Sequence, residues 1–240
     1  MPENTSASRD YSALYTPVAI IVAGVIIGVS VVVAFGGSGS GGGGTPTAKV
    51  DIEDVDLEGE PYIGEEDAPV VLAYWSDYQC PYCKAVEVGH EQIPIEPSLP
   101  ALVRDYVNTG KIRIVFKDYA FLGPDSTTAA RYEGAVWELY PDKFFAWRTA
   151  MFNAQDEEHG GFGDEASIIA LTAKISGIDV NRVKALVAQK GAEYDAEAAA
   201  DQKEGASFGV NGTPGFITGT TLIGGAETID AFKAAIDPQL

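Results

Sequence analysis

Cysteine is nearly absent from this chain: Cys80 and Cys83 are the only two in 240 residues. A secreted domain stapled by structural disulfides carries more. The domain must therefore hold together by its own core, and its cysteines are free for other work. Histidine is equally scarce, at His90 and His159. Structural zinc wants four ligands, typically two cysteine pairs or one pair with two closely spaced histidines. No second pair exists and the histidines lie far apart, so no metal site is expected and both histidines are expected at the surface. Basic residues are few, 16 Lys and Arg against 35 Asp and Glu, for a net charge of −19. Nucleic acid is excluded as a partner, because its binding needs clustered Lys and Arg. Adaptation to high salt and an ordinary acidic extracellular surface both account for the acidity.

What is present reads in three parts. Residues 1–16 are a short tail. Pro17 to Phe35, PVAIIVAGVIIGVSVVVAF, carries no charge and approaches the roughly 20 apolar residues that cross a bilayer as a helix. It is longer than the apolar core of a cleaved signal, about 7–15 residues, although Val32-Val33-Ala34 is a tolerable cleavage site. We expect an uncleaved anchor over 17–35. Arg9 precedes the span and no basic residue follows before Lys49, which places the N-terminus inside and the remainder outside the cytoplasm. Residues 36–48, opening GGSGSGGGGTPT, behave as a flexible tether. Residues 49–240, hydrophobic and aromatic enough to fold, form one domain.

Within that domain, Val50 to Glu60 (VDIEDVDLEGE) is expected as a first edge strand. Val70 to Trp75 (VVLAYW) is a continuous apolar run typical of a buried central strand. Lys111 to Lys117 alternates, with Ile112, Ile114 and Phe116 on one face, and reads as a second strand. About 124–207 looks helical. One helix carries Ala129, Tyr132 and Val136 and stops at Pro141. Asp142, Asp164 and Asp179 are expected to cap three more, and a separate Ala/Glu-rich helix runs from Ala192 to about Ser207. A hairpin (Gly215–Thr218, Thr221–Ile223) and a last helix (Ala226–Ile236) close the chain. Strand, helix, strand, helical block, hairpin and helix make an α/β fold with a helical insertion.

The chemistry centres on Ser76-Asp77-Tyr78-Gln79-Cys80-Pro81-Tyr82-Cys83. A thiol attacks, and leaves, as thiolate, and a helix N-terminus lowers its pKa. Pro81 suits the first helical position, where its missing N–H is no loss. Cys80 then faces unpaired N–H groups and the positive end of the helix dipole. Cys83 lies one turn on, within reach of a small disulfide ring. The reading is thiol–disulfide exchange through Cys80 and Cys83, needing no cofactor beyond that pair. A plain stabilising disulfide remains open, although so short a loop removes little unfolded-chain entropy. So does Cu(I) binding, since thiolates are soft ligands. Downstream, Val210-Asn211-Gly212-Thr213-Pro214-Gly215-Phe216-Ile217 sets a proline at the start of an apolar strand, where prolines are tolerated.

SDYQCPYCK (Ser76 to Lys84), NTGKIRIVFKDY (Asn108 to Tyr119) and FGVNGTPGFITG (Phe208 to Gly219) together resemble, in order and spacing, the DsbA-like thiol:disulfide oxidoreductases of the thioredoxin superfamily. The resemblance covers most of residues 61 to 237. It implies a thioredoxin-like fold whose helical insertion occupies about 124–207. It also implies a cis Pro214 against the cysteine pair, backbone contacts from Thr213 to substrate, and tuning of the redox potential by Pro81 and Tyr82. The implied partners are thiol-containing exported proteins and a membrane redox protein that recycles the disulfide. The chain departs from the pattern at Tyr82, where strongly oxidising relatives often carry histidine, and at Tyr74, where many carry a buried acid. The expected activity is disulfide formation outside the cytoplasm. A tethered reductase or isomerase is the alternative, and a non-catalytic metal- or peptide-binding module a further one.

Overall fold

The computed structural model describes residues 50–157 and 160–240. The expected anchor at 17–35, the tether at 36–48 and His159 lie outside the described residues. Among the described residues no helix is long and apolar enough to cross a membrane.

Five strands form one sheet: β1 (Tyr62–Ile63), β2 (Val70–Ser76), β3 (Ile112–Asp118), β4 (Gly215–Thr218) and β5 (Thr221–Gly224), in the order β1-β3-β2-β4-β5. β2 and β3 run parallel, pairing Val70 with Ile112 through Ser76 with Asp118. The other pairings are antiparallel. The central β2 is apolar on both faces because both are covered. Leu72 and Tyr74 join Ile114, Phe116, Phe216 and Phe232 in one core. Ala73 and Trp75 join Val210 and Ile217 in another.

Helix α1 (Pro81–Glu87) follows β2 directly, and α2 (Ser98–Leu102) continues into a π-helical turn over Val103–Val107. Neither α2 nor that turn was expected. The insertion is four helices: α3 (Pro124–Leu139), α4 (Pro141–Ala154), α5 (Glu165–Thr172) and α6 (Val180–Ser207). Helix α7 (Ile229–Ile236) follows the β4–β5 hairpin and starts three residues later than Ala226. The insertion has its own core of Tyr132, Val136, Trp147, Met151, Phe152 and Ile168, and Tyr78, Cys80 and Cys83 belong to that core. The cysteines thus sit at the seam between sheet and insertion.

Several elements differ from the sequence reading. Residues 50–60 hold no strand. Ile52–Asp54 is a single 3-10 turn, and β1 lies just beyond. The aspartates explain this: Asp51 accepts from the Glu53 amide at 3.2 Å and Asp56 from the Glu58 amide at 3.1 Å, local bonds that compete with a strand ladder. Asp142 caps nothing. Tyr140 holds the cap position of α4 and Pro141 its first turn, as the fixed φ of proline favours. Asp164 and Asp179 do cap, accepting from the amides of Ser167 and Asn181. The two helices expected over about 180–207 are one, because Ala, Glu, Lys and Gln carry the helix through Gly191. Two glycines let α6 approach closely. A Cβ on Gly205 would meet Trp75 Nε1 at 2.8 Å, and one on Gly134 of α3 would meet the Tyr194 ring at 2.6 Å.

Candidate active site

β2 ends at Ser76, and a tight turn carries the chain to Cys80. The Cys80 amide donates to Asp77 O at 3.0 Å. The Asp77 carboxylate fixes the turn: Oδ1 accepts from the Gln79 amide at 2.8 Å, and Oδ2 from the Phe121 and Leu122 amides at 2.9 and 3.1 Å. Gln155, at the end of α4, donates from Nε2 to the carbonyls of Tyr78 (2.5 Å) and Cys80 (3.1 Å). Asp77 and Gln155 are both buried and were not singled out from sequence. Nothing local marks Gln155, whose side-chain partners lie 75 and 77 residues away.

Cys80 holds the N-cap position of α1 with extended dihedrals, and Pro81 stands in the first turn. Both cysteines are free thiols, with relative exposures of 4% for Cys80 and 0% for Cys83. The Cys80 thiol is held down to about 7, chiefly by a hydrogen bond from Cys83, against burial, with help from Thr213 and the amides of Cys83 and Tyr82. Those amides are the orphan donors of a helix start. The Cys83 thiol is pushed well above its ordinary value by burial first and then by Cys80. One sulfur is therefore poised as thiolate and the other kept protonated.

The Thr213–Pro214 peptide is cis. Its loop lies against the cysteine pair: the Cys80 thiol donates to Thr213 O at 3.3 Å. The Thr213 hydroxyl is buried without a hydrogen-bond partner of good geometry, and its effect on Cys80 shows that it faces the sulfur. Beside the loop opens a cleft of about 320 Å³ lined by Asn211, Gly212, Thr213, Pro214 and Leu222. Tyr82 is 53% exposed. Of the residues singled out from sequence, the structure thus brings Cys80, Cys83, Pro81, Thr213 and Pro214 together, with Tyr82 at the rim. His90 is half-buried rather than at the surface, its Nδ1 accepting from the Gln92 amide at 3.1 Å.

Beneath the site lies a fully buried cation. Arg148, from α4, contacts Glu87 Oε1 through Nε (2.8 Å) and Nη2 (2.7 Å), and Ser76 Oγ at 2.8 Å. Glu133 Oε1 stands at 3.4 Å, and the guanidinium lies 4.1 Å from the Phe116 ring centroid and 5.1 Å from that of Tyr74. Rings and carboxylates together make such a charge tolerable away from water. Burial pushes the Glu87 carboxyl up, and Arg148 opposes it. Among the described residues no group of three or more His, Cys, Asp or Glu is arranged to hold a metal ion.

The family model described as Thioredoxin matches residues 56–238. The chain is 25% identical over 179 residues to the "Probable disulfide bond formation protein D" of Bacillus anthracis, covering 74% of this chain and 77% of that one. Among solved structures it is similar to oxidised BdbD from Bacillus subtilis, with a TM-score of 0.66 and 21% identity over 80% of this chain and 96% of that one. It is also similar to the thiol-disulfide exchange protein alpha-DsbA2 from Wolbachia pipientis, with a TM-score of 0.64 and 26% identity over 75% and 87% of the two chains.

Proposed function

The chain belongs to the thioredoxin family, and from that footing we propose that it is a thiol:disulfide oxidoreductase that forms disulfides in exported proteins outside the cytoplasm. The observation that carries this is the asymmetry of the two sulfurs, one acidified at a helix start and one buried and protonated. In the oxidised enzyme a substrate thiolate attacks Cys80 Sγ. The Cys80–Cys83 bond breaks, its electron pair leaves on Cys83, and a mixed disulfide forms at Cys80. The substrate's second thiolate then expels Cys80, which departs easily because its thiolate is stabilised. Two electrons pass from substrate to enzyme, and a membrane redox partner returns the pair to the disulfide. Thr213 presents its backbone to the substrate beside cis Pro214, and Pro81 and Tyr82 set the potential. Relatives named for disulfide bond formation support the exchange reading, and in this reading the apolar segment 17–35 anchors the enzyme.

A second reading has its own observation. A first-cysteine pKa near 7 matches that of thioredoxin, about 7, rather than that of the strong oxidant DsbA, about 3.5. This favours a milder couple, suited to reduction or isomerisation. The reduction potential separates the readings: a value near −120 mV supports oxidation, and one near −270 mV supports reduction. Exchange itself is tested by substitution. Cys83→Ser leaves exported substrates trapped on Cys80 as mixed disulfides, identifiable by mass spectrometry, and Cys80→Ser traps none. Equal capture by both variants would overturn the assignment.

A further inference from the structure

Where the Cys80 sulfur points depends on the two backbone torsions of its own residue. Cys80 caps α1 with φ −78° and ψ 119°, and its thiol makes no regular capping bond. Ser, Thr, Asp and Asn ordinarily hold such a place through a side-chain oxygen; a thiol does not, so other groups must keep the residue at the helix mouth. On the N-terminal side its amide is held by Asp77 O at 3.0 Å. On the C-terminal side the peptide joins Cys80 to Pro81, which has no N–H, and that peptide can be held only through the Cys80 carbonyl. Two donors hold it. One is the Lys84 amide at 3.1 Å, the first bond of the helix itself. The other comes from outside the helix: Gln155 Nε2, also at 3.1 Å. A side-chain amide has two N–H donors, and Gln155 turns its nitrogen to Tyr78 O as well, at 2.5 Å. The carbonyls on either side of Gln79 are thus fixed by one carboxamide, and the Gln79 amide between them by the Asp77 carboxylate. The carboxamide belongs to the insertion. Gln155 itself is 4% exposed and tied down at both ends: its amide donates to Met151 O at 3.0 Å at the end of α4, and its carbonyl accepts from Lys84 Nζ of α1 at 2.5 Å.

We propose that Gln155 is the positioning residue through which the helical insertion sets the redox potential of the cysteine pair: by fixing the Cys80–Pro81 peptide it holds the first turn of α1 against the Cys80 sulfur. Rotation about the Cys80 Cα–C bond moves everything after that bond relative to the sulfur. Cys83 and the amides of Cys83 and Tyr82 all lie after it, and these groups, Cys83 foremost, keep the sulfur as thiolate with help from Thr213. A carbonyl held from outside the helix cannot turn, so the donors stay where the thiolate forms. The bonds of the Gln155 side chain go to backbone carbonyls and to neither sulfur. Its influence therefore falls on the Cys80 thiolate that departs in the second step of exchange. A better stabilised thiolate favours the reduced enzyme and makes the couple more oxidising. Without these two hydrogen bonds Cys80 becomes less acidic and the chain a weaker oxidant. The insertion then contributes to the chemistry as well as to the shape of the site.

This role rests on the exchange reading, and the two can fail separately. The full chain in detergent is equilibrated with glutathione buffers, and the reduced chain is alkylated with iodoacetamide between pH 5 and 9. Gln155→Met keeps the length of the side chain and removes both donors; Gln155→Ala removes the length as well. Both changes are neutral. The titratable groups on that side, Lys84, His90, Glu91, Asp156 and Glu157, which line a cleft beside Pro81, all remain, so a shift is not a change of local charge. Both variants are expected to move the Cys80 alkylation midpoint up by about one pH unit, the size of one hydrogen bond of ordinary net strength. The equilibrium constant for oxidising glutathione falls about tenfold with it, about 30 mV in potential. Lys117→Met serves as the control for general loosening. It frees the insertion from the sheet at another place, where the ammonium reaches Asp201 of α6 at 2.6 Å, and it leaves midpoint and constant at the parent's values. Should Met and Ala at 155 prevent folding, Gln155→Asn, whose amide is one methylene short, carries the same readouts and shifts them in the same direction. A parent chain that does not exchange with glutathione overturns the exchange reading. A parent that exchanges, beside Gln155 variants that keep its midpoint and constant, overturns the positioning role alone. An equal shift in Lys117→Met overturns it too, because any loosening of the insertion would then move the sulfur.

Discussion

Two thiols three positions apart in sequence meet opposite fates because one caps the start of a helix and the other lies on that helix's buried side. Cys80 receives hydrogen bonds at the helix mouth, whereas at Cys83 burial and the neighbouring Cys80 outweigh the bonds from Asp77 and Thr213. Alkylation of the reduced chain by iodoacetamide should report this. Cys80 is expected to react with a midpoint near pH 7, and Cys83 to stay unreactive until the protein unfolds; a single midpoint at the free-thiol value of about 8.5 contradicts the assignment. The sign for stability follows. The folded pKa of Cys80 is depressed, so its contribution to the reduced folded state, about 2–3 kcal/mol, is present above the unfolded pKa and fades as pH falls through about 7. Cys80, Pro81 and Cys83 were legible because each sits in a short motif with a local physical reason, while Thr213 and the place of Pro214 against the sulfurs came from the resemblance. Gln155 and Arg148 were not legible. Their meaning comes from elements far apart in sequence, and an arginine or glutamine in an amphipathic helix ordinarily signifies a solvated face.

Between elements, the joint that fixes the insertion is a single buried lysine. Lys117 of β3 is 3% exposed. Its ammonium reaches Asp201 of α6 at 2.6 Å, Glu60 at 2.7 Å, Glu204 of α6 at 3.2 Å and the Asp56 carbonyl at 2.8 Å. Sheet, insertion and N-terminal segment converge on it, beside the Trp75 indole that donates to the Asp201 carbonyl at 2.9 Å. Removing one partner from such a cluster leaves like charges facing one another in a poor solvent. Lys117→Met is therefore expected to lower stability by about 3 kcal/mol, read from the urea midpoint at pH 7.5. A loss below about 0.5 kcal/mol, the range of ordinary surface changes, contradicts this role. In sequence Lys117 merely ended an alternating strand, and the acids that meet it came from a segment read as an edge strand and from a helix read only as Ala/Glu-rich. Strands β2 to β5 were legible because their apolar runs are short, strong and flanked by turns, whereas the two-residue β1 (Tyr62–Ile63) has no run to mark it and was expected in 50–60 instead. The junction of two helices into α6 was not, because Gly191 imitates a stop while the residues around it carry the helix on.

At the scale of the whole molecule the acidity has two components with opposite consequences. Most of the net charge of −19 is carboxylate at the surface. A smaller set lies inside. Burial raises Asp77, Glu87, Asp118, Glu133 and Asp201, and Glu60 rises to about 8 as burial and Asp201 outweigh Lys117. An acid whose folded pKa is raised binds its proton more tightly in the folded state. Its contribution to stability is complete below the unfolded value and is lost as pH rises through the folded one. Cys80 acts in the opposite sense over the same window, but it is one group against several. The chain is therefore expected to be most stable on the acid side of neutrality, with its thermal midpoint falling steadily from pH 5.5 to 8.5. Calorimetry at pH 7 in buffers of different ionisation enthalpy should show net proton uptake on folding. Glu60→Gln removes the group whose raised value falls inside this window and should flatten the decline between pH 7 and 8.5. A midpoint that climbs with pH over that interval means that the interior carboxyls are ionised in the fold, with Lys117 and Arg148 compensating them fully.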